Sequence, residues 1–269
     1  MHVKSEKRHP SAREYSRNLA SRGRYSFTSR EAQSALGVSP AAAKLALNRL
    51  ARQELIASPA RGFYVIVPPE YQSLGCLPAD QFIPDLMTRL RLRYYVGLLS
   101  AAQYHGAAHH RPQEFQVLLG KRRRPIACGA VRVNFMLRKR IDEVPVQALN
   151  TPRGSLLVST PEATAVDLIG YEHQAGGLSQ IATVLSELAG KIDPQKLVAA
   201  AGTAPLPWAQ RLGYLLERVG AADRTEALKA HVQEHVKQST LLLPSASRRG
   251  ARRNKEWRLY VNADVETEP

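Results

Sequence analysis

The sequence is poor in cysteine and in acid, and it lacks any long apolar run. Two cysteines in 269 residues, Cys76 and Cys128, form no zinc-spaced ligand pair and no dense disulfide framework, which leaves a reduced, cytosolic setting with two inert thiols as the simplest expectation. No stretch approaches the length needed to cross a bilayer, and the basic N-terminal residues enclose no apolar core of the kind a secretory signal carries. A soluble, cytoplasmic protein without a membrane partner is expected. Acids are scarce: 23 Asp and Glu face 38 Lys and Arg, a formal charge of +15, and such an excess points to a polyanionic partner. Hydrophobic residues at 44% and charged residues at 23% are ordinary globular usage, so the chain has the means to build a core. There is no internal repeat and no low-complexity tract.

The positive charge is regional. Basic residues crowd residues 1–70, the segment from Lys121 to Arg140, which holds no acid, and the run SRRGARRNKEWR from Ser247 to Arg258, while residues 141–244 are mildly acidic. The first of these regions has helical patterning. A first helix is expected over residues 10–22, with Tyr15 and Leu19 on one face. Thr28 followed three residues later by Glu31 is a capping box that opens a second helix over residues 29–36, and Gly37 supplies the left-handed residue that ends it. Ser39 as N-cap and Pro40 at the first helical position begin a third helix reaching about residue 53. In it Ala43, Leu47 and Leu50 line the inward face. The run FYVIV, pairing with residues 54–57 across the SPARG turn, completes a winged helix-turn-helix.

The opposite face of the third helix is the candidate DNA reader. Ser39, Ala41, Ala42, Lys44, Leu45, Asn48, Arg49 and Arg52 would face the duplex. Asn48 can bond adenine bidentately, Lys44 can donate to guanine or phosphate, and the apolar Ala41, Ala42 and Leu45 can touch thymine methyl groups. Arg22 and the flanking arginines would hold phosphates, and Arg61 beside Gly62 at the hairpin tip could enter the minor groove. So small a reading surface implies that two half-sites and DNA shape supply part of the specificity.

Beyond this unit the patterning changes to an α+β domain. Helices are expected at residues 79–90 and 94–105, strands at 114–119, 131–137, 145–149 and 154–159, helices at 161–171, 178–189, 194–201, 207–219 and 225–237, and a last strand at 257–262. The division expected is a DNA-binding domain at residues 1–68, a linker at 69–78 and a larger domain at 79–269. Strand 131–137 should bury Val131, Val133, Phe135 and Leu137, and present Arg132, Asn134 and Arg138 on its other face. Lys121, Arg122, Arg123, Arg124, Arg138, Lys139 and Arg140 are therefore candidate phosphate contacts.

Enzymatic chemistry finds no support. His105, His109 and His110 lack a carboxylate at useful spacing and suit helix ends or surface better than a metal site. Gly154-Ser155 opens a run, LLVST, that contains none of the acids needed to hold magnesium for nucleotide transfer. Glu162 and Asp167 lie on one helix, where Asp167 suits a cap or an ion pair. No catalytic residue, cofactor or metal is expected.

Three segments carry a family resemblance. YYVGLLSAAQYHG at Tyr94 to Gly106, VSTPEATAVDLIGY at Val158 to Tyr171 and QRLGYLLERVG at Gln210 to Gly220, with the N-terminal winged helix and the final Trp257 to Asn262 strand, resemble the AbiEi antitoxins of abortive-infection systems in their order along the chain. The resemblance implies a cytoplasmic antitoxin and transcriptional autorepressor of a type IV toxin–antitoxin pair. Its winged helix would bind inverted repeats in its own promoter, with the reading helix on Ala41 to Arg52. Its second domain would be needed to neutralise a nucleotidyltransferase toxin, with or without direct contact. Arg211, Leu212 and Gly213 match the family's Arg-Leu-Gly element, in which Arg211 is expected to form an ion pair inside the domain, and His105 and Asp167 have the same structural standing. The rival from another class is a stand-alone nucleic-acid-binding protein, directed to RNA through the basic second domain. The remotest is a nucleotidyltransferase-like enzyme.

Overall fold

A computed structural model describes residues 9–107 and 113–265. Its elements in chain order are α1 (Ala12–Ala20), β1 (Ser26–Thr28), α2 (Ser29–Leu36), α3 (Pro40–Arg52), β2 (Ile56–Ala60), β3 (Phe63–Ile66), α4 (Ile83–Leu90), β4 (Tyr94–Val96), α5 (Leu98–Tyr104), β5 (Phe115–Leu119), β6 (Ile126–Cys128), β7 (Val131–Leu137), β8 (Val146–Thr151) and β9 (Gly154–Ser159). There follow α6 (Pro161–Gly170), α7 (Gly177–Leu188), α8 (Pro194–Gly202), α9 (Leu206–Arg218), α10 (Glu226–His235), β10 (Thr240–Leu241), β11 (Arg252–Asn254) and β12 (Leu259–Val261). The protein is α+β.

The chain packs as two compact units, and neither is continuous in sequence. Among the described residues, the first comprises 9–92, 123–135 and 149–156; the second comprises 93–107, 113–122, 136–148 and 157–265. This differs from the division expected from sequence. Residues 69–78, expected as a linker, form a 3-10 turn over Pro69–Leu74 and then bury Cys76 and Leu77 in the first unit. Close backbone approach explains the seating of this segment. The Ala130 amide donates to the Leu74 carbonyl at 2.7 Å, and at Gly129, with φ +56°, a Cβ would strike that carbonyl oxygen and the Gly75 backbone. Only glycine fits there.

In the first unit, capping fixes the helices before packing does. Ser11 and Glu14 form a capping box on α1, as Thr28 and Glu31 do on α2, and Gly37 closes α2 at φ +64°. The Ser39 hydroxyl accepts the Ala42 amide at 3.3 Å and starts α3. Buried Phe27, Ala32, Leu47, Leu50, Ile56 and Ile66 share one core cluster. Phe27 meets Tyr15 edge-on at 5.4 Å and stacks on Tyr64 at 5.6 Å. The sheet has order β1-β3-β2, all antiparallel, so a third strand that the sequence pattern does not announce stands beside the expected hairpin.

In the second unit β4 lies between β5, its antiparallel partner through Tyr94↔Leu119 and Val96↔Val117, and β9, its parallel partner through Val96↔Val158. The sequence pattern assigns residues 94–96 to a helix. Aromatic and β-branched Tyr94, Tyr95 and Val96 pair as a strand instead, and the helix starts beyond Gly97, at Leu98. Helices α5 to α10 enclose a core that includes Leu168, Leu185, Leu212, Leu216, Leu228 and Trp257. Gly213 in α9 is required here, since a Cβ would collide with the Trp257 ring. A small sheet, β10-β12-β11, closes the unit. Among the described residues no helix is long and apolar enough to cross a membrane.

Candidate nucleic-acid interface

Helix α3 separates its residues cleanly by face. Ala43, Leu47 and Leu50 are buried, whereas Ser39, Ala41, Ala42, Lys44, Leu45, Asn48, Arg49 and Arg52 are all exposed. The spacing 41, 45, 48, 52 places Ala41, Leu45, Asn48 and Arg52 in one stripe. Leu45 is 59% exposed, more than any other large apolar residue described. The stripe thus offers an apolar contact, an amide able to donate and accept, and one arginine at the C-terminal turn, with Arg49 exposed beside it. Val38 and Ala51, not among the residues expected from sequence, are also exposed beside it. Each lies within a residue or two of the expected set.

The hairpin tip is held rather than free. The Ser29 amide at the start of α2 donates to the Gly62 carbonyl at 3.1 Å, and the Arg89 guanidinium donates to the Arg61 carbonyl at 3.2 Å. Arg89 also lies over the Phe63 ring at 5.9 Å. Arg61 and Arg22 present exposed side chains. Arg24, by contrast, pairs with Glu31, and this pair and the Thr28 hydrogen bonds overcome burial to hold the Glu31 carboxyl below its ordinary range. No local pattern ties Arg89 to a tip 28 residues away, so its role is invisible in sequence.

The second basic segment divides into exposed and internally bound residues. Lys121, Arg122, Arg124 and Lys139 are exposed. Arg123 is half-buried, its guanidinium 5.5 Å from the Phe135 ring and its Nε buried without a partner, and burial lowers its pKa. Arg140 pairs with Glu143 and donates to the Gly202 carbonyl at 3.1 Å.

Arg138 corrects the expected face assignment. It is 3% exposed, its Nε is 2.9 Å from Asp167 Oδ1, and its other nitrogens donate to the Thr203 carbonyl and hydroxyl. Such a side chain cannot reach a phosphate. Of the residues expected inside on β7, Val133 is buried, Val131 and Phe135 are half-buried and Leu137 is exposed, while Met136 is buried instead. Asp167 in α6 also accepts from the Tyr95 hydroxyl at 2.6 Å, and the Arg138 guanidinium supplies its countercharge. Burial pushes the Asp167 carboxyl up, against the Arg138 charge and the two hydrogen bonds.

The remaining candidates are structural. His105 caps α5 in a buried position and its Nε2–H donates to the Ser159 carbonyl at 2.7 Å. Arg211 forms hydrogen bonds to the Leu241 carbonyl at 2.8 Å and the Thr240 hydroxyl at 3.3 Å in place of the expected ion pair. His109 and His110 lie outside the described residues.

Comparison with known proteins places two stretches of the chain, in order, in one family. Residues 14–67 match the family described as "Transcriptional regulator, AbiEi antitoxin", and residues 95–218 match "AbiEi antitoxin C-terminal domain". The crystal structure of the RV2827C protein from Mycobacterium tuberculosis has a similar fold, with a TM-score of 0.69 at 20% identity over 95% of this chain and 93% of that one. No curated protein sequence matches the chain significantly. Two matches to one family, in order and over about two thirds of the residues, establish that the chain belongs to the AbiEi family of antitoxins and transcriptional regulators.

Proposed function

We propose that this protein is an operator-binding antitoxin: α3 reads inverted repeats in its own promoter, the chain represses its own transcription, and it counteracts a nucleotidyltransferase toxin in the cytoplasm. The observation that carries the DNA-binding part is the exposed stripe Ala41, Leu45, Asn48 and Arg52 on a helix whose other face is fully packed. A helix that exposes a leucine at its centre gains by covering it, and thymine methyl groups in the major groove offer such cover. Arg22, Arg49 and Arg52 supply sequence-independent phosphate contacts, and Arg61 at the hairpin tip acts as the wing contact. Nothing in the proposal requires catalysis by this chain.

The test is a titration of the full chain with its own upstream DNA and with random duplex of equal length, joined to rescue of growth when the adjacent toxin frame is expressed. Preferential binding of the upstream DNA together with rescue is the expected result. Equal affinity for both duplexes removes the operator reading, and absence of rescue removes the antitoxin.

A further inference from the structure

The third basic run has no part in the DNA-reading proposal, and the structure gathers it around one concavity. Arg218 at the end of α9, with Arg249, Arg252 and Arg253 from β11 and the turn before it, borders a cavity of about 620 Å3 in the second unit. All four side chains are exposed. The nearby carboxylates of Glu217 and Glu256 are taken by Lys229, at 2.7 and 2.9 Å. Asp264 is the one carboxylate on the wall among the described residues, set against four guanidinium groups. Crowding like charges without counterions raises the energy of the empty protein, and a polyanion relieves it.

The frame around the concavity is built before any ligand arrives. The Asn262 amide accepts from the Leu243 amide at 2.9 Å and donates to the Leu243 and Ala246 carbonyls at 2.8 and 3.1 Å, tying the incoming segment to β12. Asn254 accepts from the Trp257 amide at 2.9 Å and fixes the turn between β11 and β12. Gly250, at φ +76°, makes the bend that sets Arg249 beside β11. A preformed wall lowers the ordering cost of binding.

Arginine at all four basic positions selects for planar, bidentate recognition of phosphate oxygens, which lysine performs only as a point charge. Tyr214, Val261 and Val265 line the same concavity and offer ring and apolar surface. The volume lies within the range of about 300–1,000 Å3 typical of small-ligand sites. We propose that this concavity binds a nucleoside triphosphate, with the arginines on the phosphates and the Tyr214 side against the base.

The experiment is calorimetric titration of the full chain at low salt with ATP, GTP, inorganic tripolyphosphate, AMP and a short single-stranded RNA. Nucleoside triphosphates should bind, tripolyphosphate should displace them, and AMP should bind far more weakly. Arg252→Gln and Arg253→Gln should each weaken triphosphate binding about tenfold, the effect of removing one charge-assisted hydrogen bond. Both substitutions change exposed side chains, and an unfolding midpoint equal to the parent's confirms the fold. In the parent itself, bound triphosphate should slow amide exchange at residues 249–254, a readout that needs no variant. Absence of triphosphate binding, binding undiminished in both variants, or unaltered exchange at 249–254 overturns the proposal. Binding of the RNA alone, abolished in the variants, also overturns it and reassigns the wall to a nucleic-acid backbone.

Discussion

Asn48 and Arg52 stand four residues apart on the exposed face of α3, and chemistry gives them different roles. An amide can tell one base edge from another; a guanidinium at the helix end meets phosphates that are alike at every step. Asn48→Ala should therefore lower the ratio of operator to random-DNA affinity by about 1–3 kcal/mol, while Arg52→Ala should weaken both duplexes nearly equally. Competition titrations of both variants decide it, and an unchanged ratio for Asn48→Ala would falsify this assignment. Buried residues show what the sequence conceals at this scale. The exposed stripe of α3 is legible because its face follows from helical spacing alone, whereas the Arg138–Asp167 pair joins the residue after β7 to a helix residue 29 positions on and leaves no local pattern. Asp167→Ala strands a buried guanidinium and should cost about 3–5 kcal/mol in chemical denaturation, with much of that recovered when Arg138→Met is added. His105 supplies a pH effect of definite sign. Burial, followed by the Lys191 charge, holds its imidazole below the ordinary range, although the Ser159 carbonyl and Glu162 act the other way. The unfolded chain then takes up the proton first, near pH 6.5, so this contribution is complete above about pH 6.5 and is lost as the pH falls. His231 is lowered as well, chiefly by burial, so the parent's slope is shared between them. His105→Gln should remove part of the acid-side slope of the urea midpoint, and an identical slope in parent and variant would exclude His105 as its source.

Among elements, those with signals at both ends are legible from the sequence. Helix α2 has its capping box at Thr28 and Glu31 and its glycine stop at Gly37, and its observed span is the expected one. Helix α3 has Ser39, Pro40 and an apolar spacing that leaves no ambiguity of face. Short elements held by distant partners are not legible. Strand β1 is three residues long and exists because Ser26↔Val65 and Thr28↔Phe63 pair it to β3, nearly 40 residues later. Strand β4 carries an apolar run that continues into α5, and periodicity alone cannot divide the two. The same reasoning predicts where local changes act. Thr28→Ala removes the acceptor for the Glu31 amide and should destabilise the protein by about 1 kcal/mol in denaturant unfolding. A loss near zero would mean that β1 pairing, rather than the cap, holds the start of α2.

At the scale of the whole molecule, charge and fold are separate questions, since the excess of +15 does not specify where the chain meets a polyanion. Burial sorts the segment from Lys121 to Arg140 into residues that can meet one and residues that cannot. Arg138 neutralises Asp167, Arg140 is paired with Glu143 and Arg123 lies over Phe135, so none of the three serves as a simple phosphate ligand. Lys121, Arg122, Arg124 and Lys139 are exposed and remain, the first three close together in one run. If they touch operator phosphates, each neutralised phosphate releases counterions and steepens the dependence of affinity on salt. Replacing these three by glutamine should then reduce the slope of log affinity against log salt by up to about 0.9 for each phosphate left without its cation, no more than about 2.7 in all. Arg123 should be left in place, because its removal would uncover Phe135 and confuse packing with charge. The parent and the triple variant are compared on one long operator duplex, with growth rescue scored in parallel. A shallower slope with rescue intact assigns the run to DNA. Equal slopes with rescue abolished assign it to antitoxicity instead, because a side chain that leaves the counterion balance on the duplex unchanged is not neutralising its phosphates.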